Sequence, residues 1–360
     1  MSEISLPLFE RELSWLRFNE RVLQEAADPQ VPLIERLRFL GIFSSNQDEF
    51  YRVRMPDVRR RIEIHKKNPQ RRQRELALLA DLESNLESLV ERFEQINSDL
   101  MRALARAGTF LVNENQLQED QQAWLKQYFH QNILSHIAPV FLGPDQRLSQ
   151  ELEDNGSHLF VRLQRDQNER FALIKLPTDR VSRFIELPRG KGHRQRTIIL
   201  LDNVIRLNLL DIFASVIKVE KAECWAMKLT RDAEYDLVDE IELSLIERMD
   251  MALDQRLTAP PSRLVYDREI PKSALQVLKQ SIGINDKHSL VAGGRYHDYR
   301  DFISFPIGSG RKSLVNKPLP PLSSPRFETS KSIFKCIRKQ DVLLYYPYHR
   351  FEHFTEFLRQ

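Results

Sequence analysis

The sequence predicts a multidomain α+β protein, and three observations carry that expectation. Leu79, Leu82, Leu86, Leu89, Phe93, Ile96 and Leu100 alternate three and four residues apart, the seam of one long helix. Between residues 158 and 201 the runs HLFVRL, RFALIKL, RFIEL and TIILL are short, rich in β-branched and aromatic residues, and separated by turn residues such as Asn155-Gly156 and Lys191-Gly192. The stretch NKPLPPLSSPRF, 316–327, has the proline and serine content of a linker.

Taken in order, residues 1–107 read as all helical. A first helix covers roughly 10–27; Asp28, Pro29 and Pro32 punctuate the entry to a second, expected to run to about Val53 before Pro56. The third carries the heptad seam and ends at Gly108, where a helix C-cap glycine belongs. A seam on one helix fits a long helix packed on its neighbours; an intermolecular coiled coil is the alternative.

From 108 to 322 the pattern becomes α+β. A helical stretch near 118–132 leads into the four strand runs, which suggest one mixed sheet. NVIRLNLLDIF and LVDEIELSLIERMDMALDQR return to helical spacing, ECWAMKLTR reads as a strand and PKSALQVLKQSIG as a helix. Beyond the linker, SIFKCIRKQDVLLYYPYHRFEHFTEFLRQ reads helix, strand, turn, helix. This piece, 323–360, is too short to bury its own core, and is expected to open a further domain.

Composition excludes several classes. With 41% hydrophobic and 29% charged residues and 54 basic against 51 acidic side chains in 360, the chain is neither disordered nor fibrous. Cys224 and Cys336 lack any CxxC or Cys/His spacing, so two thiols in a reducing compartment fit better than a disulfide scaffold or zinc site. The N-terminus MSEISLPLFERELSW has acids where a signal peptide has a basic region and an apolar core. The most apolar region, TIILLDNVIRLNLLDIFASVI, is broken by five polar or charged residues and does not reach a membrane span. A cytoplasmic protein is expected.

Catalytic signatures are sparse. GSGRKS at 308–313 lacks the phosphate-loop spacing and precedes a proline linker, so a turn is the simpler reading. The nine histidines form no HExxH pattern. His349 and His353 are four apart, but only Glu352 and Glu356 are near enough in sequence to complete a ligand set, so solvated or packing histidines are favoured. No metal or catalytic residue is assigned. One electrostatic feature stands out: between Arg52 and Arg74 ten basic residues face two acids, a local balance of +8. It invites a polyanion, with a solvated loop as the alternative; no aromatic lies between Pro56 and Arg74, so phosphate contact fits better than base stacking.

Asn46, in RFLGIFSSNQDEFYRVR, interrupts an apolar stripe of Phe39, Phe43, Phe50 and Val53. Asparagine is a poor helix-interior residue whose amide must find partners if buried. Two readings remain open: an amide matched to the N6/N7 edge of adenine, with Phe43 and Phe50 shaping an apolar wall, or a buried Asn that fixes register against a neighbouring helix.

Five segments in order, RELSWLRFNERVLQEA, FSSNQDEFYRVRMPDVRRR, APPSRLVYDREIP, VAGGRYHDYRDFISFP and DVLLYYPYHRFEHFTEFLRQ, resemble bacterial polyphosphate kinase along the whole chain. The resemblance implies reversible transfer of the ATP γ-phosphate to inorganic polyphosphate through a phosphohistidine, assisted by Mg²⁺. It implies a helical domain contacting the ATP base (1–107), a head domain used in dimerisation (108–322), and the first segment of a phospholipase D-like α/β domain (323–360). Asn46 carries over as the contact to the ATP base. The family's phosphoacceptor histidine and metal-site arginines match no position here and are expected beyond Gln360, so this chain alone is expected to be inactive. Implied partners are ATP or ADP, polyphosphate and further copies of the chain, as a dimer or tetramer, with peripheral membrane association and without nucleic acid. The rival readings are a non-catalytic polyanion binder and an assembly module.

Overall fold

The computed structural model describes residues 9–143, 148, 152, 154, 156–166, 168–189, 195–232, 261–284, 289–308, 311–329 and 332–360. The chain divides into two compact units, residues 1–308 and 309–360. The expected helix at 237–256 and the turn residues Asn155, Lys191 and Gly192 lie outside the described residues.

The first unit begins with helices α1 (Arg11–Ala27) and α2 (Leu33–Glu49). The chain does not stop before Pro56. It continues through a π-helical turn, Phe50–Arg54, into α3 (Met55–Ile64), with Pro56 in the first turn of α3. The amide of Met55 bonds the carbonyl of Phe50, five residues back. Widening the helix by one residue removes the carbonyl clash that a proline ring meets in a regular helix interior, so the helix passes through Pro56.

Helix α4 (Pro69–Arg106) starts ten residues before the leucine seam, because Asn68 caps it by accepting from the Arg71 amide at 3.2 Å and Pro69 supplies a pre-set φ. Its buried stripe is Leu78, Leu82, Leu86, Leu89, Ile96, Leu100 and Leu104. Leu78 replaces the expected Leu79, and Phe93 is half-buried. The stripe packs on α1, α2 and α3 of the same chain, as the packed-helix reading expects. Gly108 follows at φ +73.

The α+β segment holds two sheets, where one was expected. Strands β1 (Thr109–Val112), β5 (Phe184–Glu186) and β6 (Arg196–Leu200) form a three-stranded sheet, β6 parallel to β1 and antiparallel to β5. Strands β2 (Val140–Phe141), β3 (Ser157–Arg165), β4 (Asn168–Lys175), β7 (Lys221–Arg231), β8 (Pro261–Asp267) and β9 (Ser289–Gly293) form a six-stranded sheet in the order β2-β4-β3-β7-β8-β9, antiparallel except at β8–β9. Strand content is visible in the runs themselves; which runs pair is not.

Each face of the larger sheet has its own core. Leu159, Val161, Ala172, Ile174 and Ala226 pack against α5 (Glu119–Asn132), α6 (Leu201–Leu207) and α7 (Leu209–Phe213). The expected single helix over 203–213 is split at Asn208, whose side chain bonds back to the Val204 carbonyl at 2.8 Å and competes with the helical ladder. On the other face Phe160, Leu173, Met227 and Leu264 pack against the helix Lys272–Ile282.

The second unit contains helices Pro325–Glu328, Ile333–Lys339 and Glu352–Arg359. The strand expected at DVLLYY is absent. A strand needs a partner, and among the described residues of this unit only the isolated bridge between Leu322 and His349 forms. Leu343 is 90% and Leu319 83% exposed.

Candidate functional site

Asn46 lies on α2 facing α1. Its Nδ2 donates to Asn19 Oδ1 at 3.0 Å, and Asn19, fully buried, donates in turn to the Phe43 carbonyl at 3.2 Å. Asn46 itself is half-buried, and its Oδ1 makes no hydrogen bond among the described residues. Phe43 and Phe50 do not form an open wall beside it. Both are 1% exposed, Phe43 stacking on Phe93 at 5.5 Å and Phe50 tilting against Trp15 at 5.0 Å.

One residue pair further along the same motif, α2 turns toward the larger sheet. Asp48 is buried and accepts from Lys228 Nζ and, at 3.2 Å, from Arg263. Lys228 reaches Asp298 at 3.4 Å, and Arg263 lies 4.1 Å from the centre of the Tyr51 ring. Asp298 also accepts from Ser157 Oγ and Arg300, while its carbonyl accepts from Arg183, which is paired with Asp202 at 3.0 Å. Burial alone would raise the Asp298 pKa, but Lys228, Arg183 and Arg300 outweigh it and hold the carboxyl well below the usual range. The buried charges are therefore paired at every step, which is what allows them to be buried.

Sequence reasoning missed this network. A signal existed: Cys224, Ala226, Lys228 and Thr230 share one face of β7, so a lysine stands where the period-2 pattern demands an apolar residue.

Part of the basic segment 52–74 is tied into the protein. Arg59 donates to the Ser262 carbonyl and to Ser289 Oγ; Arg60 pairs with Asp232 at 2.6 Å; Arg61 pairs with Glu12, Asp57 and Glu75. Arg52 faces Asp154, and Arg74 faces Glu10. The exposed basic side chains lie at the α3–α4 turn and the start of α4: Lys66, Lys67, Arg71, Arg72 and Arg74. The histidines at 349 and 353 have backbone partners: His349 Nδ1 accepts from the Tyr345 amide and His353 Nε2 from the Ser324 amide, both at 2.9 Å. Among the described residues no group of three His, Cys, Asp or Glu side chains is placed to hold a metal ion. Cys224 is buried, which pushes its thiol up to about 11, and Cys336 is half-buried; both are free. No described helix is long and apolar enough to cross a membrane.

A cavity of about 710 Å³ opens where the face of the larger sheet passes from α5–α7 to the helical segment. Its floor is Arg263, Val265 and Asp267 of β8 beside Val291 and Gly293 of β9, in register on one face. Gln47 and Asp48 of α2 and Phe93 and Asn97 of α4 close it from above. Asn46 does not line it. At Gly293 an added Cβ would come within 2.8 Å of His297 Nδ1, so a larger residue there must displace the His297 ring.

Residues 8–112 match the family model "Polyphosphate kinase N-terminal domain" and residues 120–305 the "Polyphosphate kinase middle domain". The chain is 50% identical over 353 residues to polyphosphate kinase of Vibrio vulnificus (strain YJ016), with 98% of this chain and 50% of that protein covered. It is 47% identical over 353 residues to polyphosphate kinase of Escherichia coli (strain K12), with 98% and 51% covered. The crystal structure of polyphosphate kinase from Porphyromonas gingivalis superposes with a TM-score of 0.73 at 28% identity, over 98% of this chain and 49% of that one. The fold and both matched segments define the class, a family of kinases. The chain belongs to the polyphosphate kinase family. It spans about half the length of the curated relatives it matches.

Proposed function

We propose that this chain forms the nucleotide-base-contacting and assembly part of an enzyme that reversibly transfers the ATP γ-phosphate to inorganic polyphosphate. Membership of the family carries the reading, and the state of Asn46 supports it: Asn19 holds the amide nitrogen while Oδ1 is left to accept from an exocyclic amine such as adenine N6. Transfer through a histidine would be nucleophilic catalysis, with the imidazole as temporary carrier. In this reading neither that histidine nor the Mg²⁺ ligands belong to the chain, and the α+β segment serves contacts between copies in a cytoplasmic dimer or tetramer.

Incubating the 360-residue chain with γ-labelled ATP, Mg²⁺ and polyphosphate tests it. ATP should bind with preference over GTP, and no acid-labile, base-stable phosphate should appear on the protein. Phosphohistidine at any of the nine histidines would overturn the assignment of the chemistry to residues outside the chain. Absence of any ATP-over-GTP preference would overturn the base contact.

A further inference from the structure

The contact between α1 and α2 has an open rim, and the side chains along it are apolar. Helix α1 is flanked by two helices: Glu20 pairs with Arg92 of α4 at 2.7 Å, while Trp15 and Asn19 meet Phe50 and Asn46 of α2. By helical periodicity Trp15, Val22 and Phe18 lie about 40°, 60° and 100° from Asn19 around α1, all on the side opposite Glu20. They therefore follow the edge of the α1–α2 contact that α4 does not cover. Trp15 and Val22 are half-buried, and Phe18 is 56% exposed. On α2 the half-buried Ile42 stands one turn before Asn46, on the side away from the buried Phe43. Glu49, one turn after Asn46, turns to Arg52 at 3.7 Å.

A single exposed phenylalanine is ordinary on a protein surface. Phe18 differs in its place: it stands beside the half-buried Asn46, whose Oδ1 makes no hydrogen bond among the described residues. The rim thus offers an aromatic face and, next to it, one amide acceptor. A flat aromatic ring with a donor on its edge matches both at once, its face covering Phe18 and its edge reaching Asn46. We propose that Phe18 is the stacking platform for the purine ring of the nucleotide, a role that rests on the reading of Asn46 as the base contact. Every base has a π-face, so stacking gives affinity without choosing between purines, whereas the amide reads the base edge. Phe18 and Asn46 thereby divide affinity from selectivity.

Proton NMR titration of the 360-residue chain with ATP and with GTP tests this. A base stacked on Phe18 lies over the ring, so adenine H2 and H8 and guanine H8 should move upfield saturably, with a Kd of about 1 mM for ATP and weaker for GTP. Phe18→Leu keeps apolar volume and removes the π-face. It should abolish the upfield shift and weaken both nucleotides about tenfold, leaving the ratio of their affinities unchanged. Phe18→Tyr should keep both shift and affinity, and neither variant should lower Tm, since the side chain is exposed. Asn46→Ala should show the opposite signature, a collapsed ratio with the upfield shift retained. Equal shifts and affinities in Phe18→Leu and wild type would overturn the platform while leaving the adenine preference, and with it the base contact, in place. A Phe18-dependent shift without any ATP-over-GTP preference would keep the platform and overturn the reading of Asn46. No saturable shift with either nucleotide would overturn both.

Discussion

Lys228 of β7 and Asp48 of α2 form a buried ion pair, Lys228 1% exposed, that ties the helical segment to the larger sheet. Arg263 joins Asp48 from β8, and Asp298 joins Lys228 from the loop after β9. The SSNQDEF motif therefore has two faces: Asn46 toward α1, and Asp48 toward the sheet.

Lys228→Met should leave Asp48 and Asp298 facing each other without their shared cation. Breaking a buried pair from one side costs about 3–5 kcal/mol, because the remaining charge stays buried. Urea unfolding of the 360-residue chain should show that loss, and the double replacement Asp48→Leu with Lys228→Met should recover part of it. A Lys228→Met chain of unchanged stability would mean the pair does not hold the segments together.

Helix α2 approaches the turn Arg300–Ser304 closely at Gly41, where an added Cβ would lie 2.7 Å from the Ile303 amide nitrogen and 3.0 Å from the Tyr299 carbonyl. Both obstacles are backbone, so Gly41→Ala must separate the two elements. A loss of about 1–3 kcal/mol, read as a fall in Tm, is expected.

Acid should weaken the first unit in two stages. His297 is neutral in the fold, with a pKa near 3, whereas an unfolded histidine titrates near 6.5, so between those values the unfolded chain takes up the proton and stability falls as pH drops. Asp298 adds to this at lower pH: its depressed pKa gives a stabilisation present above about pH 4 and lost as pH falls through the folded value. Unfolding measured from pH 7 to pH 4 should therefore show a steady decline, and His297→Gln should flatten it. An equal slope in both proteins would remove His297 as the cause.

The arginines at 59–61 separate stability from binding. Arg59→Ser deletes hydrogen bonds to Ser262 and Ser289 and should cost about 1–3 kcal/mol. The triple change Lys67→Ser, Arg71→Ser and Arg72→Ser touches exposed side chains and should leave Tm nearly unchanged. If the turn between α3 and α4 meets polyphosphate, that triple variant should also lower the salt dependence of binding, by roughly one released counterion per lost contact. A salt slope equal to wild type would exclude the turn.

Much of the architecture was readable because periodicity reports burial: the leucine seam of α4 and the runs at 158–201 fold as their spacing predicts. The sheet count was not, since pairing depends on contacts between distant runs such as Phe110 with Thr197. The same limit applies to charge: Glu10, Glu12, Asp154 and Asp232 come beside Arg74, Arg61, Arg52 and Arg60 from elsewhere in the chain, pairings that the local +8 balance of 52–74 does not reveal.

Asn46 is the residue whose role mutation can divide most cleanly. Its Nδ2 is committed to Asn19, so truncation removes one side-chain hydrogen bond within the fold and also frees a buried Asn19 oxygen. If Oδ1 accepts from adenine N6, that contact is made about equally in ground and transition states and belongs in KM, not kcat. In an enzyme completed to the length of its relatives, Asn46→Ala should raise the ATP KM several-fold, equivalent to about 1–2 kcal/mol. Discrimination against GTP should shrink, because guanine presents an acceptor where adenine presents a donor. Asn19→Ala separates the alternatives: it breaks the same internal bond without removing the Asn46 oxygen. A register-fixing role predicts that both variants lose Tm, Asn19→Ala the more because it also loses its bond to the Phe43 carbonyl, and that KM is unaltered in both. A base contact predicts that Asn46→Ala raises KM far more than Asn19→Ala although it costs less Tm, and equal KM values in the two variants would sink it.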